Sequence, residues 1–90
     1  MKKDIFVFYT SSSRKDLKKI QKIDAQKIVK AISRYTSTDP LLKSKKLSGI
    51  FDGLYRYRIG DYRAIFQYKN NEVHIVTIII IKHRKDIYTN

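Results

Sequence analysis

The stretch RYRIGDYRAIF, residues 56–66, decides how this chain folds. Gly60-Asp61 is a two-residue turn candidate, and a glycine in first place suits a type II′ hairpin turn. Side chains on a strand alternate between the two faces. With a two-residue loop, Ile59 opposes Tyr62, Arg58 opposes Arg63, Tyr57 opposes Ala64 and Arg56 opposes Ile65. One face then carries Tyr55, Tyr57, Ile59, Tyr62, Ala64, Phe66 and Tyr68, all apolar or amphipathic. The other carries Leu54, Arg56, Arg58, Arg63, Ile65 and Gln67, so the three arginines land together. Like charges directly opposite one another destabilise a sheet. The cluster makes sense if an anion sits on it during function. Arginine grips phosphate oxygens with a two-pronged fork and keeps its charge at any working pH.

Downstream, Asn70-Asn71 is a second turn candidate, because asparagine tolerates the positive φ a type I′ turn needs. Strands at about 54–59, 62–69 and 72–82 then form an antiparallel meander in which position 63 opposes 78. The arginine face gains His74, Val76, Ile78, Ile80 and Lys82; the other gains Val73, Ile75, Thr77, Ile79 and Ile81. A run apolar on both faces is a buried strand. Something should therefore cover Ile78 and Ile80, either the C-terminal tail or a partner segment. The tail KHRKDIYTN (82–90) brings Lys82, His83, Arg84 and Tyr88 to the chain end; on spacing alone Tyr88 is a packing residue.

Upstream, DIFVFY (4–9) reads as a strand and SSS (11–13) supplies N-cap candidates. RKDLKKIQKI (14–23) is a basic amphipathic helix with Leu17, Ile20 and Ile23 inward and Lys15, Lys18, Lys19 and Lys22 in water. Asp24 caps a second helix at about 25–36, whose inward side holds Ala25, Ile28, Ala31 or Ile32, and Tyr35. Pro40 stops it, and LLKSKKLSGIFDG (41–53) reads as a loop. The expectation is one α+β domain over residues 1–90: an N-terminal strand, a helical hairpin, then a three-strand antiparallel meander in a curved sheet.

Twenty Lys and Arg face eight Asp and Glu, a net charge of +12. That exceeds what solubility asks of a small domain and points to a polyanionic partner, unless it is simply a solvated lysine surface. With no cysteine there is neither disulfide framework nor thiolate zinc site, which fits a reducing, cytoplasmic setting. The first apolar run is too short for a signal peptide, and IVTIIII (75–81) is far short of a membrane helix. No phosphate-binding glycine loop appears, and carboxylates are few and scattered. Phosphate chemistry here would run on cations, with no metal and no cofactor.

LYRYRIGDYRAIFQY (54–68), followed by IVTIIII and KHRKDIY (82–88), resembles the RelE branch of the RelE/ParE toxins of toxin–antitoxin modules. The helical hairpin and the KLSG stretch (46–49) match in position. The most specific part is R-x-G-D-Y-R plus H-R-x-x-x-Y, separated by one strand. The resemblance implies a metal-independent, ribosome-dependent mRNA endoribonuclease in which the RNA 2′-OH attacks the adjacent phosphate. It implies basic catalytic side chains at Arg56, Arg58 and Arg63, with Lys82 where the best-known branch has arginine. It also implies a catalytic tyrosine at Tyr88, with His83 as the rival base, while Arg84 completes the H-R pair. The lysines at 15, 18, 19 and 22 would grip ribosomal RNA. Arginines at 56 and 58, where that branch often has lysines, exclude a base role there, and Lys82 lacks the guanidinium fork. The implied partners are an acidic RelB-like antitoxin, the ribosome and mRNA, and operator DNA only through the antitoxin complex, with no membrane. Two alternatives stand: a ParE-like poison of DNA gyrase, and a degenerate toxin that only binds its antitoxin.

Overall fold

The computed structural model describes residues 4–87. In chain order the elements are β1 (Ile5–Tyr9), α1 (Ser11–Lys19), α2 (Lys22–Thr36), β2 (Ser44–Lys46), β3 (Tyr55–Ile59), β4 (Tyr62–Asn70), β5 (His74–His83) and α3 (Arg84–Ile87). A single 3-10 turn, Gly49–Phe51, lies between β2 and β3. The strands form one sheet in the order β1-β5-β4-β3-β2, with β1 parallel to β5 and the other pairs antiparallel. The α+β expectation holds, with one edge strand and one short helix added.

The β3–β4 hairpin has the register expected from its turn, including Arg58 opposite Arg63. Gly60 has a φ of 57° and Asp61 has no positive φ, as a II′ turn requires and a I′ turn does not. The core lies on the side away from the arginines. Tyr57, Ala64, Phe66, Val76, Ile78 and Ile81 meet Ile28 and Ile32 of α2, all at most 1% exposed. Tyr57 stacks on Phe66 at 4.2 Å between ring centroids, and its hydroxyl donates to the Pro40 carbonyl. That bond ties the segment after α2 to the sheet. Burial pushes the Tyr57 phenol well above its ordinary pKa, with Asp39 and Tyr68 adding to the rise.

The second hairpin departs from expectation. No described non-glycine residue has positive φ, so Asn70-Asn71 does not make a I′ turn. Asn70 pairs with His74 across a longer loop, and Arg63 faces Lys82, not Ile78. The register shifts where Ile65 pairs with Ile80 but Phe66 pairs with Ile78, leaving Ile79 as a bulge. The bulge reverses the faces below it. Val76 and Ile78 join the core instead of the arginine face, while Ile80 and Lys82 stay where alternation put them.

The start of α1 explains why the bulge is tolerated. Thr10, not the serines, caps the helix: its hydroxyl accepts the Ser13 N–H at 3.1 Å and donates to the Ile79 carbonyl at 2.8 Å. The Thr10 N–H donates to Ile78 at 3.0 Å. The chain leaving β1 thus satisfies the irregular edge of β5, which would otherwise carry unpaired polar groups. The helix boundaries shift accordingly. The first helix ends at Lys19, and the second begins at Lys22 without an Asp24 cap. Ile23 is 64% exposed rather than inward. On the arginine side, α3 packs against β4 and β5. Ile87 and Ile65 are both buried, so the tail covers that apolar strip.

Candidate RNA-binding face

Three strands bring the cations together. Arg58 on β3 faces Arg63 on β4, which faces Lys82 on β5, an unbroken row across the sheet. One step along the hairpin, Arg56 faces Ile65 on one side and Lys45 of β2 on the other. Five cations therefore share one face. Lys45 was not singled out in the sequence, where its segment reads as a loop. A short lysine-rich segment beside a strand is a common form of sheet edge, and that signal was available.

The cations are held differently. Arg63 is only 7% exposed, and one terminal nitrogen donates to the carbonyls of Gly60 and Tyr62, each at 2.9 Å. It is clamped onto its own turn. Arg58 is exposed. Lys82 makes a 2.7 Å ion pair with Asp16 of α1 and keeps 40% of its side chain exposed. Arg84 sits at the hairpin turn: its N–H donates to the Asp61 carbonyl at 2.7 Å and its guanidinium lies 3.6 Å from the Asp61 carboxylate. A groove of about 270 Å³ runs along the row's flank, lined by Lys45, Arg56, Phe51 and Ile87 among others. The last described residue, Ile87, thus lies beside the cluster, and Tyr88 falls outside the described residues.

Not every candidate joins this face. His83 pairs with Tyr62, so it projects to the helix side, edge-on to the Tyr62 ring at 5.5 Å. Its Nδ1 accepts the Lys85 N–H at 3.2 Å. Of the predicted helical lysines, Lys19 borders the same 540 Å³ cavity as Lys82, His83 and Asp16. Lys22 lines a different groove, with Leu17, Ala25 and Val29. Lys15 and Lys18 are exposed on α1. Among the described residues no three His, Asp or Glu side chains are grouped to hold a metal ion, and no helix is long and apolar enough to cross a membrane.

Residues 7–88 match the family described as ParE toxin of type II toxin–antitoxin system, parDE. The chain belongs to this toxin family. Its fold is shared across the RelE/ParE superfamily. The toxin-antitoxin complex RelBE2 from Mycobacterium tuberculosis contains a chain 26% identical, with a TM-score of 0.80, covering 93% of this chain and 95% of that one. The archaeal RelE-RelB complex from Pyrococcus horikoshii gives 25% identity and a TM-score of 0.70, covering 96% and 99%. YafQ from E. coli, at 17% identity and a TM-score of 0.73 over 96% and 100%, shares the fold alone. No curated protein matches by sequence. This family member is therefore a type II toxin by descent.

Proposed function

We propose that this toxin cleaves mRNA on the ribosome without a metal ion. The observation that carries the reading is the row Arg58–Arg63–Lys82, flanked by Arg56 and Lys45, on the sheet face opposite the main core cluster. Cleaving RNA by its own 2′-OH requires little else. The 2′-oxygen forms a bond to phosphorus as the bond to the 5′-oxygen breaks, leaving a cyclic phosphate and a 5′-hydroxyl. Charge builds on the non-bridging oxygens of the phosphorane. Fixed cations at that point stabilise the transition state more than the ground state. Arg63, clamped to its turn, meets that requirement best. Lys82 donates to the leaving 5′-oxygen. Tyr88 takes the 2′-OH proton as general base. His83 faces away from the row and is the poorer base on geometry. The ribosome splays and aligns the RNA, and Lys15, Lys18, Lys19 and Arg84 grip its phosphates.

An antitoxin partner follows from the family and from the surface. Phe6 and Phe8 are 46% and 55% exposed on β1, on the same side of the sheet as the cations. An acidic segment with apolar anchors would cover both features. The site of action is then the cytoplasm, where ribosomes are.

The family's ParE description favours a second reading, inhibition of DNA gyrase. One experiment separates the two. Purified toxin is added to a reconstituted translation system, and mRNA ends are mapped; in parallel, gyrase supercoiling is assayed. Cuts inside ribosome-occupied codons, strongly reduced in Arg63→Lys, support the nuclease. Intact mRNA with blocked supercoiling overturns it in favour of the gyrase reading.

A further inference from the structure

Asp16 is a buried acid in a chain of net charge +12, only 6% exposed and placed midway along a lysine-rich helix. Its two oxygens do different things. Oδ2 accepts the Ile81 N–H at 2.9 Å, closing the edge of β5 that β1 has left. Oδ1 accepts from Lys82 Nζ at 2.7 Å. The fold needs the first bond, because a buried N–H without a partner is costly. It does not need the second: an asparagine carbonyl oxygen would also accept from Ile81, as a neutral and weaker acceptor. The remaining oxygen is committed to a cation of the phosphate-facing row.

We propose that Asp16 is a positioning residue that holds Lys82 ready for the RNA phosphate. This rests on the nuclease reading given above. A lysine ammonium is a point charge on a flexible four-carbon stem, and ordering it during the reaction slows the chemical step. Asp16 is itself fixed by Ile81, so it orders Lys82 before RNA arrives. One of the three ammonium protons goes to Asp16, and the 40% exposed side chain leaves the others to meet a phosphate oxygen. The carboxylate also offsets the repulsion among Arg58, Arg63 and Lys82, which sit side by side in register. Two cations of the row are thus anchored, Arg63 by its turn carbonyls and Lys82 by a helix on the far edge of the sheet.

The test is a double-mutant cycle on single-turnover cleavage of ribosome-bound mRNA, using Asp16→Asn, Lys82→Ala and both together. Asp16→Asn should slow the cleavage step about tenfold while the toxin concentration giving half-maximal rate changes little, as expected for lost orientation. In the Lys82→Ala background it should add nothing, since its target is gone. A wild-type rate for folded Asp16→Asn overturns the proposal and leaves the nuclease reading intact. Losses that multiply in the double variant also overturn it, because they assign Asp16 a role independent of Lys82. If Asp16→Asn melts below the assay temperature, Asp16→Glu replaces it. That variant keeps the charge but shifts the ammonium by one methylene; slowed cleavage supports positioning, and an unchanged rate overturns it. Wild-type toxin that cuts no ribosome-bound mRNA removes the nuclease reading and this proposal with it.

Discussion

On the helix side of β3–β5, Tyr57, Phe66, Val76 and Ile78 are wholly buried and carry no charge. On the other side the same strands hold Arg56, Arg58, Arg63 and Lys82; Arg63 is buried against its turn and the strip around Ile65 is covered by α3, while Arg58 is exposed. Alternation along a single hairpin produces both surfaces. The difference teaches where stability and function separate: one face does the folding, so the other is free to concentrate like charges that weaken the sheet. A sheet whose faces were both apolar would be more stable and would bind no phosphate.

The comparison breaks most visibly at Tyr57. Tyr57→Ala should cost about 3–5 kcal/mol of unfolding free energy, the range for emptying a buried aromatic site. It removes the stack on Phe66 and the bond to Pro40 together. Urea denaturation measures it. A loss below about 1 kcal/mol would mean the helix side is not the stabilising face.

Across the sheet, Arg63→Lys should lower cleavage by about 10²–10³-fold, comparable to deleting one donor to a developing oxyanion, with a far smaller change in melting temperature. Lysine keeps the charge but lacks the planar fork that lets one arm bind the turn carbonyls while the other meets a phosphate. Arg63→Ala is the cruder variant, because the clamp on Gly60 and Tyr62 is lost as well. A Lys variant with normal cleavage would detach the clamped arginine from the chemistry.

The two hairpins show what the amino-acid pattern could reveal. Gly60 dictates its turn through a positive φ, and every pairing in β3–β4 follows from that residue. Asn70-Asn71 had two conformational choices, and the one taken depends on contacts distant in sequence. Thr10 and Asp16 stabilise the bulge at Ile79 from 65 to 69 positions away. No local rule reports that. The arginine cluster was therefore legible from Arg56 to Arg63. Lys82 was placed on the correct face, but its partners Arg63 and Asp16 were not foreseen. Lys45 could be reached only through the lysine-rich edge composition, because three residues of edge strand carry no alternation of hydrophobicity. His83 reads as a site residue by motif, yet strand parity turns it to the other face.

Lys45 offers a smaller test of how far the cationic face extends. It faces Arg56 in register but is exposed at the sheet edge. An exposed charge contributes on the order of 1 kcal/mol or less, so Lys45→Ala should weaken ribosome engagement by about fivefold or less. The effect should appear in the half-saturating concentration and diminish as salt is raised. An unchanged concentration dependence would confine the functional row to Arg56, Arg58, Arg63 and Lys82.

The least effect concerns protonation on the neutral face. Tyr57 is held protonated by burial, and Tyr9 and Tyr68 are also raised, each mainly by burial. In the unfolded chain these phenols ionise near pH 10. A group whose folded pKa lies above its unfolded one contributes stability below the unfolded value and loses it as pH rises toward the folded value. Melting temperature should therefore be insensitive to these tyrosines up to about pH 9 and fall beyond about pH 10. Tyr57→Phe cannot ionise, so its curve should decline less steeply there, at the cost of roughly 1 kcal/mol at neutral pH for the lost hydroxyl bond. On the cationic face, Arg58→Gln changes no tyrosine, adds no group that titrates near pH 10, and should leave the alkaline limb as it is. If Tyr57→Phe and wild type fall in parallel above pH 10, the alkaline weakness does not originate in the buried aromatic cluster, and the division of labour between the faces is less sharp than the packing implies.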